Sequence, residues 1–296
     1  MFKHGELLVV SILVGSIARA LILRIDYRQF PSYPHSYLIH LTLGAIASTL
    51  GALFIPALLA KEYIAVTFLT IGAQQFRDVR SLERDSLNSI EKTELIPRGT
   101  AYIEGIAKLF EARNYLALLT ALITSLIYYY SDLLWAVIGG VVFAYTLHYF
   151  MQGITIAEIA EVKIVPLNIK GMNIGIEQTI ILNVGEKSAL KKWQEEGIGI
   201  KIVPKDENAR ATLANLGQRQ AIIHDLSILM GIKLDQGMQQ FTPLARLDLD
   251  NGTLNLIIIP QEPDPVFIQK AIKQIPVLES SQRKPLKSKY GQKAAD

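Results

Sequence analysis

Cysteine is absent from the 296 residues, which excludes disulfides, thiolate metal sites and a cysteine nucleophile and leaves the redox compartment undefined. Charge is scarce: Asp, Glu, Lys and Arg make up 19% of the chain, below the roughly 25% of soluble globular proteins. Neither sign dominates, since 30 basic and 27 acidic residues leave +3, an excess too small to point to nucleic acid. Catalytic signatures are missing as well. There is no phosphate-binding glycine loop and no Gly-x-Ser-x-Gly, and Gly197-x-Gly199 lacks the third glycine of a dinucleotide turn. Asp248-x-Asp250-Asn251-Gly252 starts like a calcium loop but has no glutamate at the required later position. His40 and His148 lie in apolar runs with no acid mid-run, and the neighbours His224 and Asp225 are expected on different sides of a helix. No catalytic, cofactor or metal residue is therefore assigned.

What is abundant is apolar sequence. Half of the chain is hydrophobic and mean hydropathy is +0.27, with the long runs crowded into residues 1–151. The runs are Leu7 to Leu23, Tyr37 to Leu59, Tyr63 to Ala73, Tyr115 to Tyr130 and Leu133 to Met151. A hydrocarbon core of about 30 Å needs about 20 helical residues, which Tyr37 to Leu59 supplies; Tyr63 to Ala73 gives only about 16 Å, which leaves spanning, re-entry or a place inside the bundle open, and the last two runs form a hairpin of spans. Arg19 lies near one end of the first run and is expected to snorkel to the interface. Tyr128, Tyr129, Tyr130 and Trp135 flank the Ser131-Asp132 turn as an interfacial aromatic belt would, and Gly139-Gly140 offers a close helix approach. The expectation is an α-helical multi-span bundle in the lipid bilayer of a cell membrane, with about five spans. Arg24 and Arg28 in the first loop, and the bases between 74 and 114, place both segments and everything after 151 in the cytoplasm and the N-terminus outside. Acids at Asp78, Glu83, Asp85, Glu91, Glu94, Glu104 and Glu111 dilute that signal.

Residues 74–114 are not a slack connector. Phe76, Val79, Leu87 and Ile90 recur at helical spacing with Arg77, Arg80 and Arg84 on another face. Pro97 and Gly99 break the pattern. A second amphipathic helix then carries Ile103, Ile106, Ala107 and Phe110 on one side and Glu104, Lys108 and Glu111 on the other. Gly105 is a costly helix residue, about 1 kcal/mol against alanine, and hints at a close approach. The segment reads as helices packed under the bundle, whose charges also offer a face to lipid headgroups or a partner protein. Arg77, Arg80, Arg84, Tyr102, Glu104, Gly105, Glu111 and Arg113 are the candidate residues of that face.

Tyr102 to Ala107 spell YIEGIA. That string, with Gln75 to Arg80, Glu83-Arg84, Arg98-Gly99 and Phe110 to Tyr115, resembles the YIEGIA family of integral membrane proteins of endospore-forming bacteria. The resemblance implies a link to sporulation and a small soluble capping-complex partner protein. It implies no reaction, cofactor or substrate.

The sequence after 151 reads as soluble protein. Thr179 to Val184 and Gly199 to Val203 are expected strands, and Asn208 to Met230 a helix broken near Gly217. Asn251-Gly252 between alternating apolar residues predicts a type I′ hairpin, and Asp264-Pro265 starts a helix to Gln274. Residues 152–279 are thus a small soluble α+β domain, and the basic stretch 280–296 is expected to be a disordered tail. A non-enzymatic scaffold or subunit of a membrane complex, self-associating as a homo-oligomer or binding its partner, fits best. The alternatives are a transporter or channel subunit built on Arg19, His40 and His148, and a membrane-embedded enzyme acting on lipid or envelope precursors through Glu83, Glu104 and Glu111.

Overall fold

Five long helices occupy the first half of the chain: α1 (Gly5–Asp26), α2 (Pro34–Leu59), α3 (Tyr63–Glu91), α4 (Thr100–Tyr130) and α5 (Leu133–Phe150). The structure is a computed structural model that describes residues 5–26, 34–150, 153–231, 234–235, 238–239 and 241–295; Arg28 lies outside them. Among the described residues, three helices are long and apolar enough to cross a membrane, at Gly5–Leu23, Tyr37–Leu59 and Leu133–Phe150. The other two expected spans are the apolar ends of longer helices. Tyr63 to Ala73 opens the 29-residue α3, and Tyr115 to Tyr130 closes the 31-residue α4.

The chain divides into two compact units, one of residues 1–86 and 106–152, the other of 87–105 and 153–296. Residues 87–105 of the segment at 74–114 thus group with the C-terminal region.

In the first unit the helices meet through small residues, as close helix packing in lipid requires. A Cβ at Gly15 would lie 2.6 Å from Ser48 Oγ and 2.9 Å from the Ala117 carbonyl, so α1, α2 and α4 touch there. Ser125 Oγ donates to the Ala52 carbonyl at 3.0 Å, and Gly140 abuts Thr124 and Val14. Polar hydroxyls on α2 and α4 turn back on their own helices: Ser48, Thr120 and Thr124 donate to carbonyls four residues earlier. Outward-facing Leu134, Trp135, Val142 and Tyr145 of α5 are exposed, a surface suited to lipid rather than water. Arg19 is fully buried, so the expected snorkelling to the interface is corrected.

The second unit is α+β. A four-stranded antiparallel sheet has the order β1 (Ala160–Val165), β5 (Ile198–Pro204), β9 (Leu254–Ile258), β8 (Leu244–Leu247). Strands β2 (Asn168–Lys170), β3 (Asn173–Ile176) and β4 (Thr179–Asn183) form a meander, and β6 (Leu234–Asp235) pairs with β7 (Met238–Gln239). The helices are α6 (Ile156–Ile159), α7 (Lys187–Glu196), α8 (Glu207–Leu213), α9 (Leu216–Met230), α10 (Pro265–Gln274) and α11 (Lys289–Ala295).

Every residue of β9 is buried, and the two-residue period splits them between two cores. Leu254, Leu256 and Ile258 join Ile200 and Ile202 beneath α9 and α10, whose Ile222, Leu226, Ile268 and Ile272 fill that side. Ile257 and Ile259 join Ile174 and Ile176 of the meander, Trp193 of α7 and Phe241 on the other. Trp193 meets Phe241 edge-on at 6.0 Å.

Local details depart from the sequence reading for identifiable reasons. The 208–230 helix breaks at Ala214-Asn215, because Asn215 caps α9 by accepting from Gln218 N–H at 3.2 Å, and Gly217 lies inside α9. The hairpin joins β8 and β9, but its turn is not type I′. Asp248 takes the Asp250 N–H and the Asn251 amide on its side chain, the Gly252 N–H reaches the Asp248 carbonyl, and among the loop residues only Gly252 has positive φ (71°). The basic stretch after 279 is ordered rather than a loose tail. Ser281 is buried, and the Arg283 and Leu286 amides donate to Thr212 Oγ1 and Asn208 Oδ1 of α8.

Truncating Leu256 to alanine should lower the stability of this unit by about 2–5 kcal/mol, as for other fully buried leucines. Trp193 is 2% exposed, so in a Trp135→Phe background its fluorescence reports the unfolding. An unchanged urea midpoint for Leu256→Ala would show that β9 does not anchor the core.

Candidate functional site

The Arg98 to Gly105 stretch is built from both ends of the second unit. Glu91, near the end of α3, accepts the Gly99 N–H at 2.7 Å and faces the Arg98 guanidinium at 3.9 Å, with Glu94 at 3.6 Å. This closes the turn between α3 and α4. Gly99 has φ +90°, where a side chain is strained, and a Cβ there would lie 2.5 Å from the Gln220 carboxamide.

A helix start leaves backbone N–H groups without partners, normally taken by a cap just before it. Here the cap comes from α9. Gln220 Oε1 accepts from the Ala101 and Tyr102 N–H groups at 3.0 and 3.1 Å. Gly217, one turn earlier on α9, admits the Ala101 carbonyl, which would sit 2.8 Å from a Cβ. One turn later, His224 stacks edge-on to the Tyr102 ring at 5.8 Å. Its Nδ1 is 3.1 Å from Asp225 Oδ1, and the Tyr102 hydroxyl donates to the same carboxylate. Gly217, Gln220 and His224 form a stripe at helical spacing, the receptor face for the start of α4.

Tyr102 is 2% exposed. Its burial, then the neighbouring Asp225 charge and hydrogen bond, push its phenol well above the usual tyrosine range, with Arg98 opposing. Gly105 faces Ser280, whose Oγ would be 2.8 Å from a Cβ. That strap is fixed by buried Gln218, which accepts from Leu278 N–H at 2.7 Å and Ser281 Oγ at 2.9 Å and donates to the Pro276 carbonyl at 3.3 Å.

The eight residues expected to share one partner surface do not all lie on a surface. Tyr102, Gly105 and Arg113 are buried. The close approach expected at Gly105 is made by the Ser280 and Leu278 side chains of its own unit, a packing role. Glu104 is half-buried and engaged. In the first unit Arg80 pairs with Glu111 at 3.3 Å, Arg84 pairs with Asp85 at 3.2 Å, and Arg77 is exposed. His224 and Asp225, expected on different sides of a helix, hydrogen-bond to each other. For Gln218 and Gln220 the one sequence signal is a polar stripe on a helix otherwise made of core residues.

The fold thus joins a helical unit with apolar, membrane-length helices to an α+β unit whose motif helix is capped by α9. The chain matches the family described as "YIEGIA protein" over residues 7–288, and it belongs to that family. It is 38% identical over 278 residues, 94% of each chain, to the uncharacterized protein YphB of Bacillus subtilis (strain 168). No solved structure matches it.

Replacing Gln220 with alanine strips the cap from Ala101 and Tyr102 and should cost about 0.5–2 kcal/mol, seen as faster hydrogen exchange at those amides. Gln220→Glu keeps the acceptor and should exchange slowly; equal rates in both variants would refute the cap. Tyr102 gives a second outcome. Its folded pKa lies above the unfolded value of about 10, so the unfolded chain loses this proton first. Its contribution is intact below about pH 10 and lost as pH rises further. Tyr102→Phe should flatten the alkaline fall in stability, and an unaltered profile would count against this environment.

Proposed function

We propose that the chain is a sporulation-associated, multi-pass protein of the cell membrane that acts as a scaffold or subunit of a complex, with the 87–105 and 153–296 unit in the cytoplasm. The process rests on family membership. The scaffold role rests on one observation: the signature residues Tyr102 and Gly105 are consumed in fastening α4 to α9 and the 276–281 strap, not gathered around a reacting group. A small soluble partner, or a second copy of the chain, then meets the exposed part of α3 around Arg77 and Arg84, where charges lie in helical stripes.

The chain's own packing supports five spans. The Ala101 and Tyr102 amides hydrogen-bond to Gln220 of α9, which favours one side of the membrane for both segments and an even number of crossings between 105 and 153. With α5 long and apolar enough to cross, Tyr115 to Tyr130 is the natural partner crossing. The exposed Tyr129, Tyr130 and Trp135 then sit at the far interface. Basic residues on both sides of α2 and α3 favour Tyr63 to Ala73 as a third crossing, N-terminus outside.

Alkaline phosphatase fused after Glu91 or after Asp296 should be inactive, and active after Ser131. Opposite activities at Glu91 and Asp296 would overturn the topology. In the spore-forming host, the Arg77→Ala, Arg84→Ala double variant should keep its membrane level yet lower spore yield and lose co-purifying protein. Normal sporulation would refute the assigned surface.

A further inference from the structure

The contact of Gly15 with Ser48 and Ala117 fixes a level in the first unit where α1, α2 and α4 meet. One turn from it, α1 presents Arg19, α2 presents Gly44 and α4 presents Arg113 and Asn114. The directions agree, since a Cβ at Gly44 would lie 2.5 Å from Arg19 Cγ. His40, a further turn along α2, stacks edge-on to Phe110 at 4.8 Å, one turn before Asn114 on α4. Arg19 and Asn114 are 0% exposed, Arg113 is 1% and His40 is 4%. Two guanidiniums, an imidazole and a carboxamide thus share one buried layer of the bundle.

Asn114 is the informative member. Both its amide nitrogen and its amide oxygen are buried without a hydrogen-bond partner among the described residues, an arrangement that costs about 1–3 kcal/mol per group. Alanine or leucine would avoid that cost. A carboxamide kept there has a donor and an acceptor available to something else. Each guanidinium carries five N–H donors in the fork geometry that suits phosphate oxygens. Arg19 lies within the first apolar run and Arg113 just ahead of the fourth, and buried charge at a membrane helix is costly, rare and a pointer to function.

We infer that this layer binds a phosphate group bearing a hydroxyl: Arg19 and Arg113 hold the phosphate oxygens, the Asn114 amide N–H donates to one of them, and the Asn114 carbonyl accepts from the hydroxyl. The chemistry is shared by an anionic phospholipid headgroup such as phosphatidylglycerol and by free hydrogen phosphate. The inference rests on the membrane reading of this unit but not on the scaffold role.

The test compares the full chain in phosphatidylcholine nanodiscs, in equimolar phosphatidylcholine and phosphatidylglycerol nanodiscs, and in phosphatidylcholine nanodiscs with sodium phosphate against sodium sulfate at equal ionic strength. A ligand bound only by the folded state raises Tm. A rise of several degrees with phosphatidylglycerol alone assigns the lipid headgroup; a rise with phosphate over sulfate assigns the free anion. Asn114→Leu, close in volume, should melt higher than the parent in pure phosphatidylcholine, because the unpaired amide is gone, and should lose most of the ligand-dependent rise. Arg113→Gln should lose it too. Equal rises in the parent and Asn114→Leu would mean that the lipid acts on the outer surface, and no rise in any arm would mean that the layer is purely structural; either overturns the inference. Since the phosphatase fusions do not depend on Asn114, a failed topology and a failed ligand site are told apart.

Discussion

The Gln220 carboxamide holds together what the sequence separates. Its oxygen is the acceptor for two amides 118 and 119 residues away in the chain. Without it, the start of α4 would present unsatisfied N–H groups inside a packed unit. Neighbouring choices follow from that one bond. Gly99 leaves room for the carboxamide, Gly217 lets the Ala101 carbonyl approach, and Tyr102 continues the contact one turn further to His224 and Asp225. A side-chain cap from a distant element links local helix formation to tertiary structure, so α4 cannot start properly unless α9 is in place.

That dependence explains which features were legible in advance. The apolar alternation around Asn251-Gly252, the Asp264-Pro265 start of α10 and the long apolar runs are local signals; the first two gave the expected hairpin and helix, and the runs gave helices, three of them long and apolar enough to cross a membrane. The extents of α3 and α4 were not legible, because an apolar run that turns amphipathic at Arg77, or begins amphipathic before Tyr115, reads as two segments with a boundary. The hairpin at 247–254 was seen, but its turn was misjudged because the Asp248 side chain competes for the backbone groups that a two-residue turn would use. The basic residues after 279 looked unable to pack. Their backbone amides are what bind, to Thr212 and Asn208, and composition carries no trace of that.

The candidate site shows a deeper limit. YIEGIA is recognisable as a string, and its recognition says nothing of where its side chains go. Tyr and Glu in an amphipathic helix suggested a presented face, yet Tyr102 is among the largest fully buried side chains. Its receptors, Gln220, His224 and Asp225, lie more than a hundred residues further on. No spacing rule connects them, since the connection passes through the sheet and the helices that position α9.

Two sets of buried polar groups, one around the signature motif and one at Asn114, are treated differently, and the contrast bears on function. In the second unit Gln218, Gln220, Ser281 and the Tyr102 hydroxyl are each answered by a neighbour. Such a network is satisfied within its own unit and gives rigidity and a unique packing. In the first unit Asn114 is buried to the same degree with neither amide atom answered. A chain that balances polar groups so fully at its signature motif leaves this one open in its apolar half, beside two buried arginines. Stability alone would favour an apolar residue there. The signature motif thus accounts for how the α+β unit is held together, and the open carboxamide marks where the helical unit meets something other than itself.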